Sequence, residues 1–150
     1  MPKFEREVEI DAPIDKVWEV LIDPQYWPEW FPGMDSVPAA RAAALDSNVQ
    51  FASKEEMGNA TFVKMQQPNL LEIVTQIGDD KDQHVFRLKT TGGFLGMAGD
   101  ETKIEYTLDT LTGGGIFGKF ITSGNPIDTM KVNKAMVKFR RLVEKMFDNK

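Results

Sequence analysis

The sequence predicts an α+β domain built on one antiparallel sheet. Three observations carry this: an alternating strand near the start, a run of further strand-like segments separated by turn residues, and a long amphipathic helix at the end. In the first strand, Phe4, Arg6, Val8 and Ile10 point one way and Glu5, Glu7, Glu9 and Asp11 the other, the mark of a half-buried strand. Ala12-Pro13 then opens a helix with Pro at its first position, and Ile14, Val17, Trp18 and Leu21 form one apolar stripe. Asp23-Pro24 starts a second short helix, with Asp as cap, that runs to about Trp30 and is ended by Pro32-Gly33.

Residues 34–48 are ambiguous by propensity, because the run from Ala39 to Leu45 favours helix but is too short to be stable alone. Strands are predicted over 49–56, 60–67, 70–77, 83–91 and 102–111, with separators at Gly58-Asn59, Pro68-Asn69, 78–82 and 92–100. From Pro126 to Phe147, the apolar residues Val132, Met136, Phe139, Val143 and Met146 step by four and three, which makes a long amphipathic helix. A sheet with one face to bury needs that helix as its cover. A twisted sheet touches a helix only along a line, so a gap able to hold a ligand is expected between them.

Composition narrows the function. A length of 150 residues suits a single domain spanning the whole chain, and 41% hydrophobic residues, with ten Phe and three Trp, supply its core. The absence of Cys removes disulfides, thiolate metal sites and cysteine nucleophiles. His84 is the only imidazole, so no His-rich metal shell can form, and neither metal nor cofactor is expected. A net charge of −5 argues against nucleic-acid binding, which needs a basic face. Charge is unevenly placed: residues 126–150 hold seven Lys and Arg against three acids, whereas residues 1–125 hold eleven against twenty. The basic segment reads as the solvated face of the last helix, with an anionic surface or partner as the alternative. No apolar leader follows Met1 and no run is long enough to span a bilayer, so a cytoplasmic location is expected.

The opening of the chain, with its strand, Ala12-Pro13, Val17-Trp18, Val20-Leu21, Asp23-Pro24, the segment Trp27-Pro28-Glu29-Trp30-Phe31-Pro32-Gly33 and Val37, resembles that of the START-like, birch-pollen-allergen-like superfamily of polyketide cyclases/dehydrases and lipid-transport proteins. The later strands and the terminal helix are similar too, so the resemblance spans essentially the whole chain. It implies a helix-grip fold: a curved seven-stranded antiparallel sheet around the C-terminal helix, with two short helices after the first strand. It also implies a second strand within 34–41, against the alanine propensity, and a cavity for lipids, quinones, polyketides or other apolar molecules. It supplies no universal catalytic set, so no catalytic residue is carried over.

Gly113-Gly114-Gly115-Ile116-Phe117-Gly118-Lys119 matches two phosphate-binding patterns, but Phe120 stands where magnesium binding needs Ser or Thr, and no βαβ unit follows. This segment and the Gly-rich turn at 92–97 have three readings: locally packed loops, a cavity gate made by Phe94, Leu95, Phe117 and Phe120, or a membrane or protein contact. Asp79, Asp80 and Asp82 lack calcium-loop spacing and read as a solvated turn.

Alternation puts four polar residues, Arg6, Thr75, His84 and Tyr106, on otherwise apolar strand faces, although Arg6 falls toward the sheet's end. A buried polar group needs a partner from protein, water or ligand. For His84 the readings are a satisfied core histidine, a polar contact to ligand, or a general acid/base. Trp18, Trp27, Trp30 and Phe31 form an aromatic cluster that is mostly core. The candidate ligand-binding residues are Trp30, Phe31, Thr75, His84, Phe86, Tyr106, Met136 and Phe139; Met130 is a further helix residue read first as core. Three functions fit: a carrier of a small hydrophobic molecule, a cyclase or dehydratase using the same pocket, and an accessory protein that docks on a membrane or complex. Oligomeric state is left open.

Overall fold

The computed structural model describes residues 3–31, 34–38, 44–53, 56–91, 101–112 and 126–146, with side chains at all of these except 3–4, 110–112 and 126–131. The strands are β1 (Lys3–Ile10), β2 (Asn48–Ser53), β3 (Glu56–Gln66), β4 (Leu70–Ile77), β5 (Asp80–Thr91) and β6 (Glu101–Thr112). The helices are α1 (Ile14–Leu21), the single turn α2 (Trp27–Trp30) and the long α3 (Pro126–Met146). All neighbouring strands are antiparallel, in the order β1-β6-β5-β4-β3-β2. The chain is therefore α+β, a curved antiparallel sheet with a C-terminal helix.

Among the described residues the sheet has six strands rather than seven. Of the second strand looked for in 34–41, the described residues 34–38 hold one isolated bridge, Ser36 to Ala52, with Ser36 N to Ala52 O at 3.3 Å and Ala52 N to Ser36 O at 2.8 Å, and residues 39–41 lie outside the described residues. Two turns also differ from expectation. Gly58 lies inside β3, opposite Phe51, and is not a turn residue. Its place is explained by close packing: a Cβ there would meet the Phe51 ring at 2.5 Å and the Gln76 carbonyl oxygen at 2.9 Å, so only Gly fits beneath that ring. The β4–β5 connection is the two-residue turn Gly78-Asp79, where Gly78 takes the positive φ (59°) that a tight hairpin requires of its first residue. Asp80, Lys81 and Asp82 therefore belong to β5. Arg6 shares a row with Tyr106 but remains exposed on the edge strand.

The helices follow their patterns. In α1, Val17, Trp18, Val20 and Leu21 are buried. Pro13 sits one position earlier than expected, as the cap residue, and its carbonyl accepts from the backbone of Lys16 and Val17. The second helix divides into a 3-10 turn, Pro24–Tyr26, and α2; Asp23 caps the turn through Oδ1, which accepts from Gln25 N at 3.0 Å. In α3, Val132, Ala135, Met136, Phe139 and Val143 are buried, and Lys134, Lys138, Arg141 and Lys145 are exposed. The helix packs on β1, β6 and α2, and Glu144 Oε2 accepts from Asp11 N at 2.9 Å, which fixes its C-terminal end to the end of β1.

Candidate functional site

The sheet buries one face. Its rows are set by the strand register: Val8–Ile104–Leu88, then Tyr106–Phe86–Leu71, then Leu108–His84–Ile73–Phe62, then Thr75–Ala60–Val49. Apolar residues dominate these rows, and three polar ones interrupt them on a diagonal. Tyr106 stands opposite Phe86, one inner-face position from His84, and His84 stands opposite Ile73, one inner-face position from Thr75. Diagonal neighbours across a twisted sheet are within reach of long side chains. The three accordingly join in a chain, with Thr75 Oγ1 2.9 Å from His84 Nε2 and His84 Nδ1 2.6 Å from Tyr106 Oη.

All three are buried, His84 at 3% exposure and Tyr106 at 0%. Burial pushes the His84 imidazole down to about 3, so it is neutral at physiological pH. Burial, with a further contribution from the Asp82 charge, pushes the Tyr106 phenol well above its usual range. A neutral imidazole donates through one nitrogen and accepts through the other. If Tyr106 donates to Nδ1, then Nε2–H donates to Thr75 and the Thr75 hydroxyl proton is left over. In the reverse direction, Thr75 donates to Nε2, Nδ1–H donates to Tyr106, and the phenol proton is left over. In either direction the chain keeps one O–H to offer, and a change of tautomer moves that offer from one end to the other.

Around the chain lies an aromatic cluster. The Phe31 ring meets His84 edge-on, with centroids 4.7 Å apart, and Phe86 stacks on Tyr106 at 4.5 Å. Trp30 touches Phe31 at 5.0 Å, Phe86 at 5.6 Å and Phe139 at 4.7 Å, so rings from α2, β5 and α3 join. Six of the eight sequence-predicted residues are thus linked ring to ring; Thr75 joins through His84, and Met136 lies fully buried one turn before Phe139. The proposed gate residues Phe94, Leu95, Phe117 and Phe120, and the side chain of Met130, lie outside the described residues.

Sequence reasoning missed two features. Asp82, read as part of a solvated turn, is half-buried and pairs with Thr75 across the β4–β5 ladder, on the face that carries His84. Running the His84 alternation back by two residues finds it. The second is the Trp30 indole: at 2% exposure its Nε1–H has no hydrogen-bond partner among the described residues, whereas Trp27 Nε1 donates to Leu21 O at 3.0 Å.

On the opposite face, the side chains of Glu7, Arg87, Lys89, Lys103 and Glu105 border a shallow depression of about 220 Å³. Its charges are largely self-paired, with Lys103 Nζ to Glu7 Oε1 at 3.1 Å and Arg87 Nη1 to Glu105 Oε1 at 3.7 Å. Its side chains are mostly charged, unlike the hydrophobic and aromatic residues that predominate in small-molecule pockets. Among the described residues, no cluster of three His, Asp or Glu side chains is placed to hold a metal, and no helix is long and apolar enough to cross a membrane.

A single curved sheet with a long helix against it, and a buried face that is aromatic with a short polar chain, defines the class of α+β domains that present an apolar interior. The chain belongs to the family described as polyketide cyclase/dehydrase and lipid transport, which matches residues 1–122. Solved structures agree in fold. The chain is similar to Bacillus halodurans protein BH1534 at 17% identity, over 96% of this chain and 98% of that one, with a TM-score of 0.73. Chromobacterium violaceum protein CV1439 is similar at 11% identity over 96% and 99%, with a TM-score of 0.69. DynU16, from the dynemicin biosynthetic locus, is similar at 16% identity and a TM-score of 0.66; 96% of this chain corresponds to 48% of that one. No curated protein matches the chain in sequence.

Proposed function

We propose that this protein binds and carries a small, mainly apolar molecule of the lipid, quinone or polyketide kind. The ligand is held helix-grip fashion between the inner face of the sheet and α3. The observation that carries this reading is the Thr75–His84–Tyr106 chain: three polar side chains buried on an apolar face, linked to one another and left with one hydroxyl proton to offer. A face selected only for packing gains little from such a chain, since apolar residues of the same volume avoid its desolvation cost. A site for an apolar molecule with one polar group uses it for orientation, while apolar burial, at roughly 25 cal/mol per Å², supplies affinity. Membership of a family whose description includes lipid transport supports the reading.

Acid–base turnover at His84 is the weaker reading. An imidazole lowered to about 3, with both nitrogens already engaged, is a poor proton acceptor near neutrality.

Tyr106→Phe removes the phenol end of the chain and keeps the ring. Calorimetric titration is expected to show 2-naphthol binding falling about three- to tenfold in the variant, the worth of one ordinary hydrogen bond, with naphthalene unchanged. Equal effects on the two probes would take Tyr106 out of the site.

A further inference from the structure

We propose that the Trp30 Nε1–H is the specificity-determining donor of this site, and that it selects an uncharged carbonyl or ether oxygen on a flat apolar ligand over a carboxylate. The inference rests on the ligand-binding reading above and adds the chemical class of the ligand's polar group.

The three tryptophans divide by their surroundings. Trp27 Nε1 is satisfied by the Leu21 carbonyl. Trp18 and Trp30 Nε1 are both buried without a partner among the described residues. Trp30 alone of those two stands in the ring cluster that reaches the polar chain, through Phe31 to His84 and through Phe86 to Tyr106. An indole nitrogen can only donate, so what it lacks is an acceptor. Leaving a buried donor unpaired is costly, and a ligand oxygen that relieves this gains more than an ordinary exchange with water would give.

The charge of that oxygen follows from the same contacts. Among the described residues, the rings packed on Trp30 are those of Phe31, Phe86 and Phe139, all uncharged. Arg6, which shares the inner-face row of Tyr106, lies exposed on the edge strand. A carboxylate at Trp30 would lose its water and find a neutral N–H among phenyl rings, which does not repay desolvation of an ion. A ketone, quinone or ether oxygen carries no such debt. The flat shape follows from the ring faces, which favour stacked or edge-on contacts.

The test uses three probes of one shape: 1-indanone, indane and indane-1-carboxylate, titrated into the ¹⁵N-labelled full chain. Trp30→Phe assigns the Trp30 indole resonance. Indanone is expected to move that resonance downfield, leave the Trp18 resonance in place, and bind about tenfold tighter than indane, with the carboxylate weakest. In Trp30→Phe the indanone preference should vanish while indane still binds. Equal binding of indanone and indane in the natural chain, or a preference that survives Trp30→Phe, overturns the donor role and leaves the carrier reading intact. Failure of all three probes to bind removes both. If the variant does not fold, proton–proton contacts from the indole to the Phe86 and Phe139 rings assign the resonance in the unmodified protein, and its shift decides the matter.

Discussion

Acidification from pH 7 to pH 4 is expected to remove about 3 kcal/mol of folding stability through His84 alone. The imidazole is lowered from 6.5 to about 3 in the folded protein by burial, whereas the unfolded chain titrates near 6.5. The unfolded state therefore takes up the proton first. The His84 contribution is fully present above pH 6.5 and is lost progressively as pH falls toward 3, at about 1.4 kcal/mol per pH unit. Denaturant titrations at pH 7 and pH 4 on the natural chain and on His84→Gln isolate it, since the carboxylates titrate in both. The natural protein should lose more stability than the variant over this interval. Parallel losses would mean that His84 is not the buried neutral group that the Thr75–His84–Tyr106 chain requires.

Truncating Phe139 to Ala is expected to destabilise the fold by about 3–5 kcal/mol, the range for a large aromatic side chain removed from a packed core. Its ring is fully buried and joins α3 to α2 through the 4.7 Å contact with Trp30. For a chain of this length that corresponds to a fall in Tm of about 6–20 °C, readable by thermal unfolding at pH 7. A cost below about 1 kcal/mol would show that water or ligand replaces the ring readily, and Phe139 would then be a pocket wall and not the anchor holding α3 to the aromatic cluster.

Much of this architecture was legible in the order of residues. The alternating first strand and the five later strand-like runs each overlap one of the six described strands, and the four-and-three stepping of Val132, Met136, Phe139 and Val143 placed α3 and its buried side, with Met146, the last of that stripe, exposed. The errors have physical causes. Asp80 and Lys81 look like a loop because strand residues exposed to water carry the same side chains as turns; only the two-residue hairpin at Gly78-Asp79 shows that β5 begins there. Gly58 looks like a turn residue, but its lack of a side chain serves the Phe51 ring on the neighbouring strand. That is a contact between β2 and β3, which composition cannot reveal.

The site was legible one residue at a time. Alternation along single strands placed Thr75, His84 and Tyr106 inward, and all three are buried. What alternation cannot give is register between strands, and the diagonal that joins the three exists only once β4, β5 and β6 are aligned. The Trp30 indole, unpartnered among the described residues, lies further from view, because satisfaction of a donor depends on every element packed around it.

Native mass spectrometry of freshly purified protein, followed by incubation with a total lipid and quinone extract, tests most directly whether the inner face takes a ligand. The protein is expected to carry, or to take up, one apolar molecule per chain that survives gentle ionisation and is released on collisional activation. The bare mass alone, both as purified and after exposure to the extract, would contradict the account and leave the buried polar chain without a ligand to orient.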